Sequence, residues 1–371
     1  MGTVRSSAAH FRATSVEANP IDLGCLSIKF GEVAVGKAAA SLPVAVGKTI
    51  RRFESFPSPP IFFPRVVSFM ASRMTVAGTD INISGRVLRV ASVEGDKYRF
   101  LSDPGPIVEG LRKCDKRIDL FTFIQPVSET SAKYSYPMEW DNFAALSITT
   151  FDQWWMKVLG FKARNKAKQA EKKGIKVREI PFDDVLIEGI WRIYNETPIR
   201  QGKRFPHYGM PLERVRPYAG TFLDSSVFIG AFLDDVLIGF AKVTADEARS
   251  QAGLMHIISM IEHRDKVPNN ALIAQAVKSC ADRHIPCLVY SNFAYGNKQQ
   301  DSLSDFKERN GFQRVNVPRY YVPLSPLGGL AFRMGLHHKL IERLPESLIA
   351  KLRVYRAGWY SRKLQSSAEV S

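Results

Sequence analysis

His256 carries a side chain whose intrinsic pKa suits proton transfer near neutrality, and the carboxylate of Glu262 follows closely enough to share that work. The run Glu262-His-Arg-Asp-Lys-Val-Pro-Asn-Asn-Ala271 then sets Arg264 and Lys266 just ahead of a helix start signalled by Pro268, Asn269 and Asn270. Amides of Asn269, Asn270 and Ala271 at the positive end of a helix dipole would make a seat for an anion. Farther back, Lys162-Ala-Arg-Asn-Lys-Ala-Lys-Gln-Ala-Glu-Lys-Lys173 aligns Ala163, Ala167 and Ala170 on one helical stripe with cations on both flanks. This predicts a rigid basic rail, either a solvated face or a track for phosphate. A further group, Arg200, Arg204, His207 and Tyr208, sits in the run Pro198 to Gly209, long enough to carry function. The alternatives are a core position for His256 and a merely solvated loop. Cys280-Ala-Asp-Arg-His284-Ile-Pro-Cys287 offers metal donors without a second ligand cluster, so the cysteines read as structural thiols and no metal is expected.

The elements that must position these groups belong to a chain of 371 residues, 45% hydrophobic and 24% charged, enough for about two domains with appendages. Collagen-like, coiled-coil and wholly disordered architectures are excluded. Lysine and arginine number 52 against 36 acids, a formal charge of +16, which favours anionic partners such as cofactor phosphates, nucleic acid or a lipid surface. The greasiest run, Ile61 to Met70, is broken by Pro64 and Arg65, so no integral membrane span is expected. Charges at Lys29, Glu32, Lys37 and Lys48 fit a secretory signal poorly, and the cytoplasm is the expected compartment.

Residues 1–74 lack a sustained period and include Pro57-Ser-Pro-Pro60, so they read as a disordered extension, with translation from Met70 or Met74 as the other reading. Residues 82–150 read as a smaller strand-rich region, with strands at Val87–Val90, Lys97–Phe100 and Ile118–Ile124. A long helix from near Thr150 runs through Trp154, Trp155 and the rail to Gly174, so that 151–174 forms a basic helix. Beyond it the periodicity predicts a strand at Ile175–Ile180 and helices at Asp183–Thr197 and Leu212–Leu223. Strands follow at Val227–Leu233, Leu237–Val243 and Ala252–Ile261, the first two joined by Asp234-Asp235 as a hairpin. A helix from Pro268, a strand at Pro286–Tyr290, a helix at Leu303–Asn310 and a strand at Phe312–Val322 complete an α/β (α+β) fold with a mixed central sheet flanked by helices.

This order over 175–325 resembles the GNAT acyltransferase superfamily. Arg164-Asn-Lys-Ala-Lys-Gln-Ala-Glu-Lys-Lys-Gly174, and Asp305-Phe-Lys307 followed by Asn310-Gly311-Phe312, resemble its FemAB-type branch. The resemblance implies an N-acyltransferase that moves an acetyl, other acyl or aminoacyl group to a small-molecule or peptide amine. It further implies that the strand before the main helix splays from its neighbour, and that residues 82–150 are a worn first acyltransferase-like half. His256 and Glu262 would relay the amine proton. Tyr295, in the loop Ser291-Asn-Phe-Ala-Tyr-Gly-Asn-Lys298, would replace the family's late tyrosine as acid for the leaving group. Arg264, Lys266, Asn269, Asn270, Ala271 and Asn292 would hold the donor, and Arg200, Arg204, His207 and Tyr208 the acceptor. The implied co-substrate is acyl-coenzyme A, such as acetyl-coenzyme A, with no tightly bound cofactor. There is no glycine between Gly253 and Gly296 to bring backbone against phosphate, and FemAB-type members instead use aminoacyl-tRNA, so tRNA is the alternative donor and partner.

Residues 326–363 read as basic amphipathic helices, with Leu348, Leu352, Tyr355 and Trp359 on one stripe, suited to packing on the domain or to peripheral membrane contact; 364–371 is a tail. The rival function is a non-catalytic module of the same fold that holds an anionic ligand or nucleic acid on the rail.

Overall fold

The computed structural model describes residues 72–200, 203–294, 302–338 and 355. The fold is mixed α/β. Its strands in chain order are β1 (Ser72–Val76), β2 (Thr79–Ser84), β3 (Val90–Val93), β4 (Leu120–Ile124), β5 (Met138–Ser147), β6 (Lys176–Ile180), β7 (Ile199–Arg200), β8 (Lys203–Arg204), β9 (Ser226–Leu233), β10 (Val236–Ala245), β11 (Ala252–Ser259), β12 (Cys287–Asn292) and β13 (Gln313–Pro323). The helices are α1 (Gly105–Lys113), α2 (Phe151–Gln153), which continues as a wide π turn over Trp154–Val158, α3 (Phe161–Lys172), α4 (Asp184–Asn195), α5 (Leu212–Ala219), α6 (Pro268–Asp282), α7 (Ser302–Arg309) and α8 (Pro326–Arg333).

Among the described residues, eleven strands form one sheet in the order β1-β2-β3-β4-β13-β5-β12-β11-β10-β9-β6, while β7 and β8 form a separate ribbon. The order repeats itself about its middle. Strands β1, β2 and β3 are an antiparallel meander, and α1 crosses over to the parallel strand β4. Strands β9, β10 and β11 do the same, with α6 crossing to the parallel strand β12. The next strand of each series is exchanged: β5 pairs with β12, β13 pairs with β4, and the two pair antiparallel to each other at the centre.

Burial follows from periodicity. Leu272, Ile273, Ala276 and Val277 of α6 are fully buried on one sheet face with Ala163 and Ala170 of α3, and each large aliphatic group contributes roughly 1.5–3 kcal/mol. Leu186, Ile190 and Tyr194 of α4 and Val215 of α5 cover the opposite face over Phe228 and Phe240. The alanine stripe thus does what its spacing predicts: small side chains let α3 lie close on α6 while Lys162, Lys166, Lys168, Lys172 and Lys173 stay exposed. Asp234 and Asp235 both adopt positive φ, 47° and 63°, as a tight hairpin turn demands.

Several expected boundaries move. The first strand opens at Ser72, inside the expected extension; residues 1–71 lie outside those described. Lys97–Phe100 is not a strand but the exit of a turn, in which Tyr98 and Arg99 donate to the Gly95 carbonyl at 2.8 Å each. The strand expected at Val87–Val90 begins only at Val90, whereas α1 and β5 formed where no element had been expected. The long helix breaks at Leu159 and Gly160, because Gly160 lies against the end of α7 and donates to the Arg309 carbonyl at 3.1 Å. An added Cβ on Gly160 would lie 3.0 Å from that carbonyl oxygen. Of the C-terminal amphipathic stripe only Tyr355, exposed, is described. Among the described residues no helix is long and apolar enough to cross a membrane.

Helix α8 returns to the first strand series. Ser325 caps it, accepting from Gly328 N–H at 3.2 Å, and its hydroxyl donates to Asp119 at 2.8 Å. A Cβ on Gly328 would lie 1.7 Å from the Asp119 carbonyl oxygen. Gly328→Ala is therefore expected to cost about 1–3 kcal/mol in urea denaturation, through forced displacement of α8.

Candidate functional site

A parallel pair in the middle of a sheet normally hydrogen-bonds along its length. Here β11 and β12 pair only at Ala252 with Leu288 and Gly253 with Val289. Two local irregularities drive them apart. On β11 the ladder to β10 skips Met255, passing from Leu254–Val243 to His256–Lys242. On β12 the ladder to β5 skips Tyr290 and Ser291, and Ser291 takes a left-handed φ of 48°. Past Gly253, the peptide groups of β11 on that side have no ladder partner in β12.

The parted end of β11 is tied down from the α4 side. Glu196, just after α4, accepts from the backbone N–H groups of Ile261 and Glu262, both at 2.9 Å. Arg200 on β7 donates to Glu196 at 2.8 Å, to the Ile193 carbonyl at 2.9 Å and to the Ser259 carbonyl at 2.7 Å, and lies over the Phe205 ring at 4.7 Å. At the far side of the loop, Lys173 at the end of α3 donates to the Asp265 carbonyl at 2.7 Å. The basic rail consequently ends at the loop that leads into α6.

That loop is folded on itself. Arg264, Lys266 and Val267 donate backbone N–H groups to Ile261, His263 and Arg264, and Asn270 donates to Val267. Helix α6 begins after the left-handed Val267 with Pro268, and no side chain caps it. The side-chain Asn269 Oδ1 and Asn270 Nδ2 are buried there without hydrogen-bond partners, an arrangement that costs free energy unless a ligand supplies them. Across the crevice, Lys307 of α7 is fully buried, not on the helix surface as its position suggested. Its ammonium lies 4.6 Å from the centre of the Tyr290 ring and donates to the Asn292 carbonyl.

On the α4–α5 face, His256 meets a cluster of rings. His207 stacks on Tyr194 at 4.5 Å and lies 6.4 Å from His256; Tyr218 lies 5.2 Å from His207 and 5.8 Å from His256. The hydroxyl of Tyr194 is buried without a partner. Desolvation, reinforced by Lys242 and His207, pushes the His256 imidazole down from 6.5 to about 3, and burial with the charge of Arg200 lowers His207 as well. Lys242, the register partner of His256, is itself pushed by burial down to about 8, and donates to the Ala219 carbonyl at 2.8 Å and to that of Thr221. His256 is thus a neutral imidazole at physiological pH.

Among the residues expected at the site, His256 and His207 meet directly, Asn269, Asn270 and Ala271 open α6, and Arg264, Lys266 and Glu262 occupy the loop, Glu262 exposed. Arg200 is a fastener of that loop. Arg204 and Tyr208 are exposed. Asn292 is buried and committed to β5, donating to Asp141 at 2.8 Å and to the Asn142 carbonyl at 3.1 Å. Tyr295 lies outside the described residues. Sequence reasoning passed over Glu196, Tyr194 and Tyr218. The apolar periodicity of α4 marked Tyr194 as core, and nothing in sequence ties Glu196 to Ile261. Burial raises Cys280 to about 12 and Cys287 to about 11, so both are protonated thiols.

No protein-family model and no curated protein matches the chain. Among solved structures it is similar to the C-terminal DUF2156 domain of an Agrobacterium fabrum protein described as a lysylphosphatidylglycerol synthetase, with 11% identity, 71% of this chain and 87% of that one covered, and a TM-score of 0.48. It is also similar to FemX, at 11% identity, 71% and 90% coverage and a TM-score of 0.43. A third is a tandem GNAT protein from the clavulanic acid biosynthesis pathway, at 13% identity, 67% and 79% coverage and a TM-score of 0.38. At such identities the chemistry has to be argued from the site itself.

Two outcomes follow from this geometry. Glu196→Ala strands the Ile261 and Glu262 amides and the Arg200 guanidinium, and is expected to cost about 2 kcal/mol in urea denaturation. Because the folded pKa of His256 lies below the 6.5 of an unfolded histidine, its effect is absent above about pH 6.5 and destabilises progressively as pH falls toward about 3. His256→Asn should flatten the pH dependence of the denaturation midpoint across that window, by up to about 1.4 kcal/mol per pH unit.

Proposed function

We propose that this chain is an N-acyltransferase that moves an acyl or aminoacyl group from an activated donor to an amine in the crevice between β11 and β12. The observation that carries this reading is the parting of those strands beyond Gly253 and Val289. Peptide donors left without a ladder partner can hold the carbonyl oxygen of an incoming ester or thioester and the oxyanion that forms from it. The amine nitrogen attacks the carbonyl carbon, the bond to the leaving oxygen or sulfur breaks, and the amine proton must reach the leaving atom. Burial keeps His256 neutral but also makes it a weak base, so in this reading the imidazole passes the amine proton on in concert with attack and is never held as an imidazolium. His207, Tyr194 and Tyr218 surround it on the face where the acceptor would enter, and Lys307 adds a buried cation beside Tyr290.

The donor side favours aminoacyl-tRNA over acyl-coenzyme A. The amides of Arg264, Lys266, Val267 and Asn270 are turned onto the loop's own carbonyls, which leaves fewer donors for a pyrophosphate. The rail of α3 meanwhile leads exposed lysines to the same loop through Lys173 and Asp265, as a polyanion requires. A tRNA donor is in keeping with a cytoplasmic enzyme. The topological repeat supports reading the β1–β4 series as a second, reduced acyltransferase-like half, in which no helix pair corresponds to α4 and α5 among the described residues.

The test is transfer from labelled aminoacyl-tRNA to a panel of small and peptide amines, beside binding of uncharged tRNA and of acetyl-coenzyme A. Lys307→Met is expected to lower transfer about a hundredfold with the fold kept, and Lys166→Glu with Lys168→Glu to weaken tRNA binding and flatten its salt dependence. A thermal shift with acetyl-coenzyme A, with tRNA binding indifferent to the rail, would replace the donor. Binding of tRNA without transfer to any amine would leave a binding module in place of an enzyme.

A further inference from the structure

Away from the crevice, the segment after α8 folds back on the start of β5. His337 and His338 both direct Nε2 at the same oxygen of Glu139, at 3.2 and 3.0 Å, and their rings lie 4.1 Å apart. The donor atoms of the three side chains all lie within 4.8 Å of one another, and no other trio of histidine, cysteine or carboxylate donors converges in this way among the described residues. A tetrahedral zinc ion, about 2.0–2.1 Å from nitrogen and carboxylate oxygen, holds its donors about 3.3–3.4 Å apart. The observed separations from Glu139 are within a few tenths of an ångström of that figure.

The surroundings are built. The His337 side chain is 2% exposed, its Nδ1 is buried without a hydrogen-bond partner, and its ring stacks on Phe332 at 4.9 Å. Tyr321 donates to the second Glu139 oxygen at 3.4 Å, which turns the first toward the histidines. The strand residue opposite Glu139, Arg319, is engaged by Asp96 at 2.8 Å and Asp141 at 3.2 Å, so neither of those carboxylates is drawn to the cluster and the arginine's charge is already compensated. One carboxylate oxygen serving two imidazoles is a crowded hydrogen-bond arrangement. A doubly charged ion would use a lone pair from each of the three groups.

We propose that Glu139, His337 and His338 bind one divalent transition-metal ion of the zinc class, pinning the segment that follows α8 to the central sheet. Two imidazoles and a carboxylate suit zinc over magnesium or calcium, which take oxygen donors. This site is separate from the thiols considered in the sequence and takes no part in acyl transfer.

The full chain, stripped with a chelator, is titrated with zinc and separately with cobalt(II). One zinc per chain is expected, with a raised melting temperature, and cobalt should give visible bands without thiolate charge transfer. Glu139→Gln and His338→Gln should each weaken zinc binding at least about tenfold, while Cys280→Ser with Cys287→Ser leaves it unchanged. His338 is half-exposed, so its variant tests the site even if substitution at buried His337 prevents folding. No bound zinc, binding that survives both substitutions, or a thiolate band with cobalt would overturn the proposal.

Discussion

The architecture depends on keeping two neighbouring strands apart inside a continuous sheet. Unpaired peptide groups in a sheet interior are costly, so the opening between β11 and β12 has to be imposed from both sides. The skipped Met255 and the skipped Tyr290–Ser291 step turn the two backbones out of register with each other. The gap is then held by charged hydrogen bonds that begin on α4: Glu196 fixes the amides after β11, Arg200 fixes its last carbonyl, and each is committed to the other. Removing the fastening would let the strand end relax.

The centre of the sheet makes the opposite choice. From Gln313 opposite Ala145 to Tyr320 opposite Met138, β13 and β5 pair without interruption. Because each comes from a different strand series, this pairing locks the two series together by exchange. A rigid seam beside a deliberate gap lets one part of a sheet open without loosening the rest. Asn292 joins the two features, since its side chain is bonded to β5 while its carbonyl accepts from Lys307 below the crevice.

Charge is distributed in a matching way. Exposed lysines stay on α3, outside the crevice, while Lys242 and Lys307 are fully buried beside aromatic rings and backbone carbonyls. Burial, reinforced by Lys242 and His207, holds His256 neutral. The exposed cations of α3 and the neutral imidazole of His256 thus lie in different electrostatic surroundings.

Composition and periodicity were sufficient for the mixed α/β class, for the order of elements from β6 to β13 apart from the short ribbon of β7 and β8, and for the alanine stripe that seats α3 on α6, because each depends on side-chain spacing within one segment. The hairpin at Asp234-Asp235 was legible for the same local reason. Most of the missed pieces depend on partners distant in sequence, the turn after Gly95 being a local exception. Lys97–Phe100 carries strand-like residues yet turns, because Gly95 and its neighbours close a local loop; Gly160 breaks a helix because Arg309 stands against it. The burial of Lys307, the link from Glu196 to Ile261, the meeting of His207 with His256 and the exchange of β5 with β13 were decided by the tertiary structure alone. A sequence records what each segment prefers, and only packing determines which polar groups are left facing one another once water has been removed.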